Sequence, residues 1–131
     1  MKSALFSVGL KVRDYECDMQ GIVNNAVYQN YLETARHEFL LSRGVDFADL
    51  TQRGIIVIVT RAELDYKKPL RSGDSFDVTV TAEQVSRLKI AFKQTLRLRE
   101  GEALIMEAIV YAAALKDFKK PFFPEELKAL F

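Results

Sequence analysis

The 131-residue sequence is short of the side chains that most metal and redox chemistry requires, with one cysteine and one histidine in all. A single cysteine, Cys17, excludes an intrachain disulfide and fits a reducing compartment. With His37 as the sole imidazole, no Cys/His cluster has metal-ligand spacing, and no glycine-rich phosphate loop is present. Neither sign of charge dominates. The net charge is +1 with acids and bases interleaved, which argues against a general nucleic-acid or membrane-surface binder and leaves any basic site local. No apolar run approaches membrane-spanning length, and there is no repeat, low-complexity stretch or Pro/Gly-rich linker. The opening residues MKSALFSVGLKVRDYE become charged too soon for a secretion signal and read as a first strand. These absences predict a soluble cytoplasmic protein that uses no metal and no cofactor.

What is present is an ordinary globular composition, 49% hydrophobic and 28% charged, in a length that suits one domain, residues 1–131. Phe6, Val8, Leu10 and Val12 alternate, which predicts a half-buried strand. A polar loop from Asp14 to Gly21 follows. From about Asn24 the period becomes helical: Tyr28, Leu32, Ala35 and Phe39 share one face, and Gln29, Glu33, Arg36 and Glu38 are assigned to the others. Asn24 is placed to cap this helix and Gly44 to end it. A short helical turn is expected at 47–52.

Beyond Gly54 the pattern is that of strands. Ile55, Val57 and Val59 lead into Ala62, Leu64 and Tyr66; a turn spans Lys67 to Asp74. Phe76, Val78 and Val80 alternate, as do Leu88, Ile90, Phe92, Leu96 and Leu98, with Gln94 interrupting. A hairpin turn at 99–102 precedes a last strand carrying Leu104, Met106, Ala108, Val110 and Ala112. Pro124 opens a short C-terminal helix, 125–130. One helix of about five turns followed by long antiparallel strands predicts an α+β fold, with the sheet curled around the helix to bury its apolar face. Small Ala26 and Ala35 would let the helix sit close.

The segment from Val12 to Tyr28 carries the chemistry. A loop carboxylate, Asp18, is followed by Gly21 and then by a helix start. Helix N-termini present unpaired N–H groups and the positive end of the dipole, which can hold the oxyanion formed when a carbonyl is attacked. A carboxylate beside that end can act as nucleophile or as base for water. The plain alternative is an aspartate that bonds its own turn. Glu33 can help position water or pair with Arg36 and His37 along the helix. His37, well inside the helix, is better explained structurally. Arg61, Lys67, Lys68, Arg71, Arg87 and Lys89 are cations able to meet phosphate. Cys17 has an anionic neighbour that disfavours a thiolate, so it is no nucleophile.

These residues resemble those of hot-dog-fold thioesterases of the 4-hydroxybenzoyl-CoA type, whose pattern is an Asp, two variable residues and Gly-Ile/Val-Val before the central helix. Asp18, Gly21, Ile22, Val23, Tyr28, Tyr31, Glu33 and Arg36 fit it. Pro69-Leu70-Arg71-Ser72-Gly73-Asp74 is similar to the family's second turn, and Pro124-Glu125-Glu126-Leu127 to its closing segment. The wording around Asp14, Asn24 and Arg36 resembles most the acyl-acyl-carrier-protein thioesterases of the methylketone-synthase type. The resemblance implies a hot-dog fold and hydrolysis of an acyl thioester on coenzyme A or on the phosphopantetheine of an acyl-carrier protein. It implies Asp18 as nucleophile or base, the Asn25 backbone N–H as oxyanion donor, and Tyr28, Arg87 and Lys89 in substrate binding. It also implies a homodimer or dimer of dimers. Where many relatives have Tyr-His after the Gly-Val-Val motif, this chain has Asn24-Asn25 and no imidazole. Two other readings stand beside it: a non-catalytic acyl-thioester-binding module, and a hydroxyacyl-thioester dehydratase, which needs a histidine paired with a carboxylate.

Overall fold

The computed structural model describes residues 5–131. Strand β1 (Phe6–Lys11) leads through a 3-10 turn (Asp14–Glu16) to helix α1 (Asn25–Ser42) and the short helix α2 (Phe47–Gln52). Strands β2 (Ile55–Tyr66), β3 (Ser75–Gln84), β4 (Lys89–Leu98), β5 (Leu104–Lys116) and β6 (Lys120–Phe122) follow. A second 3-10 stretch (Glu125–Leu130) ends the chain. The sheet is antiparallel in the order β1-β3-β4-β5-β2, with β6 paired to β5 beyond the end of β4. This is the curled sheet around a central helix that the sequence predicts.

Helix α1 forms where expected. Asn24 keeps an extended backbone, and its side chain accepts the Ala26 N–H at 3.0 Å. Gly44 follows the helix with φ +76°, a conformation that favours glycine. Tyr31, Leu32, Ala35 and Phe39 of α1 are buried with Phe76, Val78 and Val80 of β3, Ile90, Phe92 and Leu96 of β4, and Met106 to Ala114 at alternate positions of β5. Each large side chain removed from water in this way stabilises the fold by roughly 1.5–3 kcal/mol. Phe39 is the pivot, edge-on to Phe6 at 5.4 Å and to Phe92 at 6.5 Å.

Several expectations need correction. Arg36, assigned to an outer face, is buried, and Gln94, taken as a break in the strand pattern, is a buried inward residue. They meet: Arg36 Nη1 donates to Gln94 Oε1 at 3.1 Å, and Gln94 Nε2 donates to the Leu32 carbonyl at 3.0 Å. Of the two alanines expected against the sheet, Ala35 is buried and Ala26 is exposed, because only the former lies in phase with Leu32 and Phe39. His37 is exposed, its ring against Phe47 at 4.7 Å. The C-terminal helix is 3-10 throughout, and β6 has no counterpart in the sequence reading.

Candidate active site

The loop bearing Asp18 is a tight hairpin. Cys17 bridges Val23 across its base, the Asp18 N–H donates to the Ile22 carbonyl at 2.8 Å, and the Gly21 N–H returns to the Asp18 carbonyl at 3.0 Å. Gly21 has φ +81°, which the reversal requires and a side chain resists. Four anchors fix the hairpin to the rest of the molecule. Ile22 bridges Arg71, the Val23 N–H donates to Leu70, the Asn24 N–H donates to the Glu16 carbonyl, and Val12 bonds both ways with the 73–74 turn. The Glu16 carboxylate adds a clamp, accepting the Arg13 N–H and the Tyr31 hydroxyl, each at 2.8 Å. Burial, and then the bond to Glu16, push the Tyr31 phenol far above its ordinary range, so Tyr31 stays a neutral donor.

Asp18 is exposed at the hairpin tip, and its Oδ1 accepts the Gln20 N–H at 2.8 Å. The turn-aspartate reading therefore holds, and it uses one oxygen only. No hydrogen bond from the described residues reaches Oδ2. The second component lies at the start of α1. The N–H groups of Ala26 and Val27 are taken by the side chain and carbonyl of Asn24, whereas the N–H of Asn25, the first helical residue, meets no acceptor among the described residues. Because the Asn24 N–H is bound to Glu16, the hairpin base and the helix start move as one unit. An exposed carboxylate and an unpaired helix N–H on one rigid unit are the parts that acyl transfer to water needs.

Beside Asn25 opens a cleft of about 280 Å³ lined by Ile22, Val23, Tyr28, Tyr66 and the 67–69 turn. Asp18 is on the tip of the hairpin whose returning strand forms one wall. Tyr28 borders the cleft, but its hydroxyl already accepts the Leu70 N–H at 3.1 Å and its ring packs edge-on to Tyr66 at 5.3 Å. Burial raises its phenol pKa. Tyr28 thus fixes the 67–70 turn to the helix, and what it offers a ligand is the ring wall. Tyr66, whose hydroxyl lies 3.5 Å from the Asn25 carbonyl, and the clamp residue Glu16 were not singled out in the sequence, whereas Tyr31 was named there only as part of the family pattern. The signal for Tyr31 was its place three residues after Tyr28 on the same helical face.

Arg87 and Lys89 are not near this cleft. They sit at the β3–β4 hairpin, exposed, where the Lys89 N–H bonds Ser86 and the Arg87 carbonyl accepts Gln84 Nε2. The ten residues of β3 separate that end from the 71–74 turn, a length of about 30 Å. The cations that flank the cleft are Lys67 and Lys68. Arg61 is engaged by Glu63 at 3.1 Å. His37 lies twelve residues along α1 from Asn25, about 18 Å, which leaves it without a part at the cleft. Among the described residues no three His, Cys, Asp or Glu side chains group as metal ligands, and no helix is long and apolar enough to cross a membrane.

A curled antiparallel sheet around one central helix is the hot-dog fold. The chain belongs to the thioesterase-like superfamily, whose family model matches residues 12–131. It is similar to a chloroplastic acyl-acyl carrier protein thioesterase from Arabidopsis thaliana, 35% identical over 98% of this chain and 68% of the relative. Among solved structures, a hypothetical protein from Aquifex aeolicus is 32% identical with a TM-score of 0.89, covering 96% of this chain and 99% of its own. A DHNA-CoA thioesterase from Staphylococcus aureus is 26% identical with a TM-score of 0.86, covering 94% and 86%. The chain spans 68% and 61% of the length of two plant relatives and 64% of that of one from Aquifex aeolicus.

Proposed function

We propose that this chain hydrolyses acyl thioesters at the α1 N-terminus, with Asp18 driving the attack and the Asn25 N–H holding the oxyanion. The observation that carries the assignment is the unpaired Asn25 N–H on the unit that presents the Asp18 carboxylate. In the water route, Asp18 takes a proton from water as the oxygen attacks the carbonyl carbon. The oxyanion is stabilised by the Asn25 N–H and the helix dipole. Collapse breaks the C–S bond, and the thiolate recovers the proton from Asp18. In the covalent route, Asp18 itself attacks, thiolate leaves, and water cleaves the mixed anhydride. Both give one carboxylic acid and one thiol.

The 280 Å³ cleft suits the carbonyl end of the substrate, with the Tyr28 and Tyr66 rings as walls and Lys67 and Lys68 placed for the phosphate of coenzyme A or phosphopantetheine. Arg87 and Lys89 serve the same thioester only from a second copy of the chain. The twelve-residue strand β2 ends the sheet and exposes Ile58, Val59 and Tyr66. Such an edge favours pairing, and it supports a homodimer built along β2. The test is thiol release from a panel of acyl-CoA and acyl-carrier-protein thioesters by wild type and Asp18→Asn. We expect turnover by wild type and a loss of about 10² or more in kcat for the variant. Equal rates for the two proteins would remove Asp18 from the mechanism.

A further inference from the structure

The turn between β5 and β6 holds its backbone against the usual preference of its side chains. The Lys119 N–H returns to the Lys116 carbonyl at 3.1 Å, and the two residues between them, Asp117 and Phe118, have φ of +54° and +59°. Turns of this hand favour Asn-Gly or Asp-Gly, and a bulky residue in the left-handed region is an outlier. The fold explains Asp117. Its N–H donates to the Gly54 carbonyl at 2.7 Å, and its carboxylate fills the space that a Cβ on Gly54 would take. Phe118 has no such account: it is 75% exposed, so its ring adds little to the core in return for the strain.

Cations flank this turn. Lys116, Lys119 and Lys120 are exposed. Strand β6 lies directly beyond β4 along the same edge of β5, with Lys89 opposite Ala113 and Phe122 opposite Ala114, so Arg87 and Lys89 border the same end of the sheet. Among the described residues none of these cations forms an ion pair, whereas Arg53, beside Gly54, is held by Asp49 and Glu126. An exposed aromatic ring among unpaired cations fits a partner surface that is acidic and partly apolar. An isolated phosphate would use the cations and leave the ring without a contact.

We propose that the β5–β6 turn docks an acidic carrier protein, with Phe118 as the apolar anchor and Lys116, Lys119 and Lys120 as the charged rim. The inference rests on the thioesterase reading and on the homodimer along β2 proposed with it. Within one chain the turn lies far from the cleft. Lys116 pairs with Ile55 and Met106 with Tyr66, and the twelve residues of β2 span about 40 Å. A twofold that pairs β2 with its copy runs the two strands antiparallel. Centred pairing sets the Ile55 end of one copy beside the Tyr66 end of the other. Lys116 then stands one strand further, two strand spacings or about 10 Å from that Tyr66. A carrier docked on one copy thus delivers its thioester to the cleft of the other. Coenzyme A brings no protein surface and makes no use of Phe118.

The experiment compares one acyl group carried by a purified bacterial acyl-carrier protein and by coenzyme A. Both are hydrolysed by wild type, Phe118→Asn, Lys119→Glu and, as a control on the same sheet, Lys93→Glu. We expect Phe118→Asn and Lys119→Glu to lose about tenfold or more in kcat/KM with the carrier protein, through KM, and less than about twofold with coenzyme A. Asparagine accepts a positive φ, so Phe118→Asn keeps or raises the melting temperature and its loss is not one of folding. Equal losses with both carriers overturn the proposal, since the cations would then serve the phosphate of coenzyme A. So does a loss as large in Lys93→Glu, or cosedimentation of wild type with anionic phospholipid vesicles that Phe118→Asn abolishes. A co-expressed, doubly tagged dimer of Asp18→Asn with Phe118→Asn tests delivery between copies. It pairs one intact cleft with one intact turn, and its carrier-protein turnover is expected to exceed that of either parent. Turnover no higher than the parents' overturns that delivery. Wild type active on coenzyme A thioesters alone overturns the docking site and leaves the thioesterase reading standing. Wild type inert on both, yet binding the carrier protein through Phe118 in calorimetry, sinks the thioesterase reading instead.

Discussion

At the scale of single residues, Asp18 combines two uses that sequence reasoning sets against each other. One carboxylate oxygen closes the turn with Gln20, and the other accepts no hydrogen bond from a described residue. Gly21 makes this possible. A Cβ at Gly21 would meet nothing within 4 Å, so the obstacle to a side chain is the backbone at φ +81° alone. Gly21→Ala is expected to cost about 1 kcal/mol of stability and to lower kcat by more than that loss implies, because the hairpin tip shifts. Thermal melts beside steady-state rates check this. A kcat equal to wild type would mean the tip position is irrelevant. Asp18 was legible because a glycine and a helix start follow it at short spacing. Arg36 and Gln94 were not, since each type is normally solvated; only their phase with Leu32 and with Phe92 and Leu96 marked them as inward.

At the scale of elements, α1 and the Asp18 hairpin are held as one body by the Glu16 clamp. Tyr31→Phe keeps the ring against Phe76 at 4.8 Å and deletes one bond to a carboxylate. The expected cost is about 1.5–3 kcal/mol, read as a lower denaturation midpoint, with kcat falling and KM nearly kept. A fall in KM with kcat unchanged would contradict a positioning role. Helix α1 was legible to within a residue because cap, period and terminating glycine agree. The strands were legible by alternation, including the two phases of β2 whose junction is the shift at 59–61. Strand β6 was not: three residues containing a proline carry no period, and their pairing with 114–116 depends on where β4 ends. The final segment is 3-10 rather than α for a similar reason, since its docking through Leu127 and Leu130 outweighs a six-residue helical preference.

At the scale of the whole molecule, the proposed homodimer has strand β2, which ends the sheet, as its seam. Pairing along β2 would cover the exposed Ile58 and Val59. We expect a solution mass of at least twice the 14.9 kDa chain by light scattering, and a shift toward monomer in Val59→Lys. A wild-type monomer with full activity would contradict both the dimer and any part for Arg87 and Lys89. The Asp18 hairpin and α1 start are complete within one chain, and this is why the carboxylate and the helix cap could be read from a local stretch of sequence. The cations proposed to meet the carrier could not, because Lys67 and Lys68 lie before β3 and Arg87 and Lys89 beyond its other end.

The proposed oxyanion site is a single backbone donor, and one substitution isolates it. Asn25 is the first helical residue and follows Asn24 at φ −63°, ψ 138°, a place where proline fits and removes the N–H together with the side-chain amide, a loss that Asn25→Ala makes alone. Measured at saturating thioester, Asn25→Pro is expected to lose about 10²–10³ in kcat with its melting temperature kept, while Asn25→Ala retains most of its activity. Asn25→Pro turning over at the wild-type rate would contradict the assignment of the oxyanion site to the start of α1.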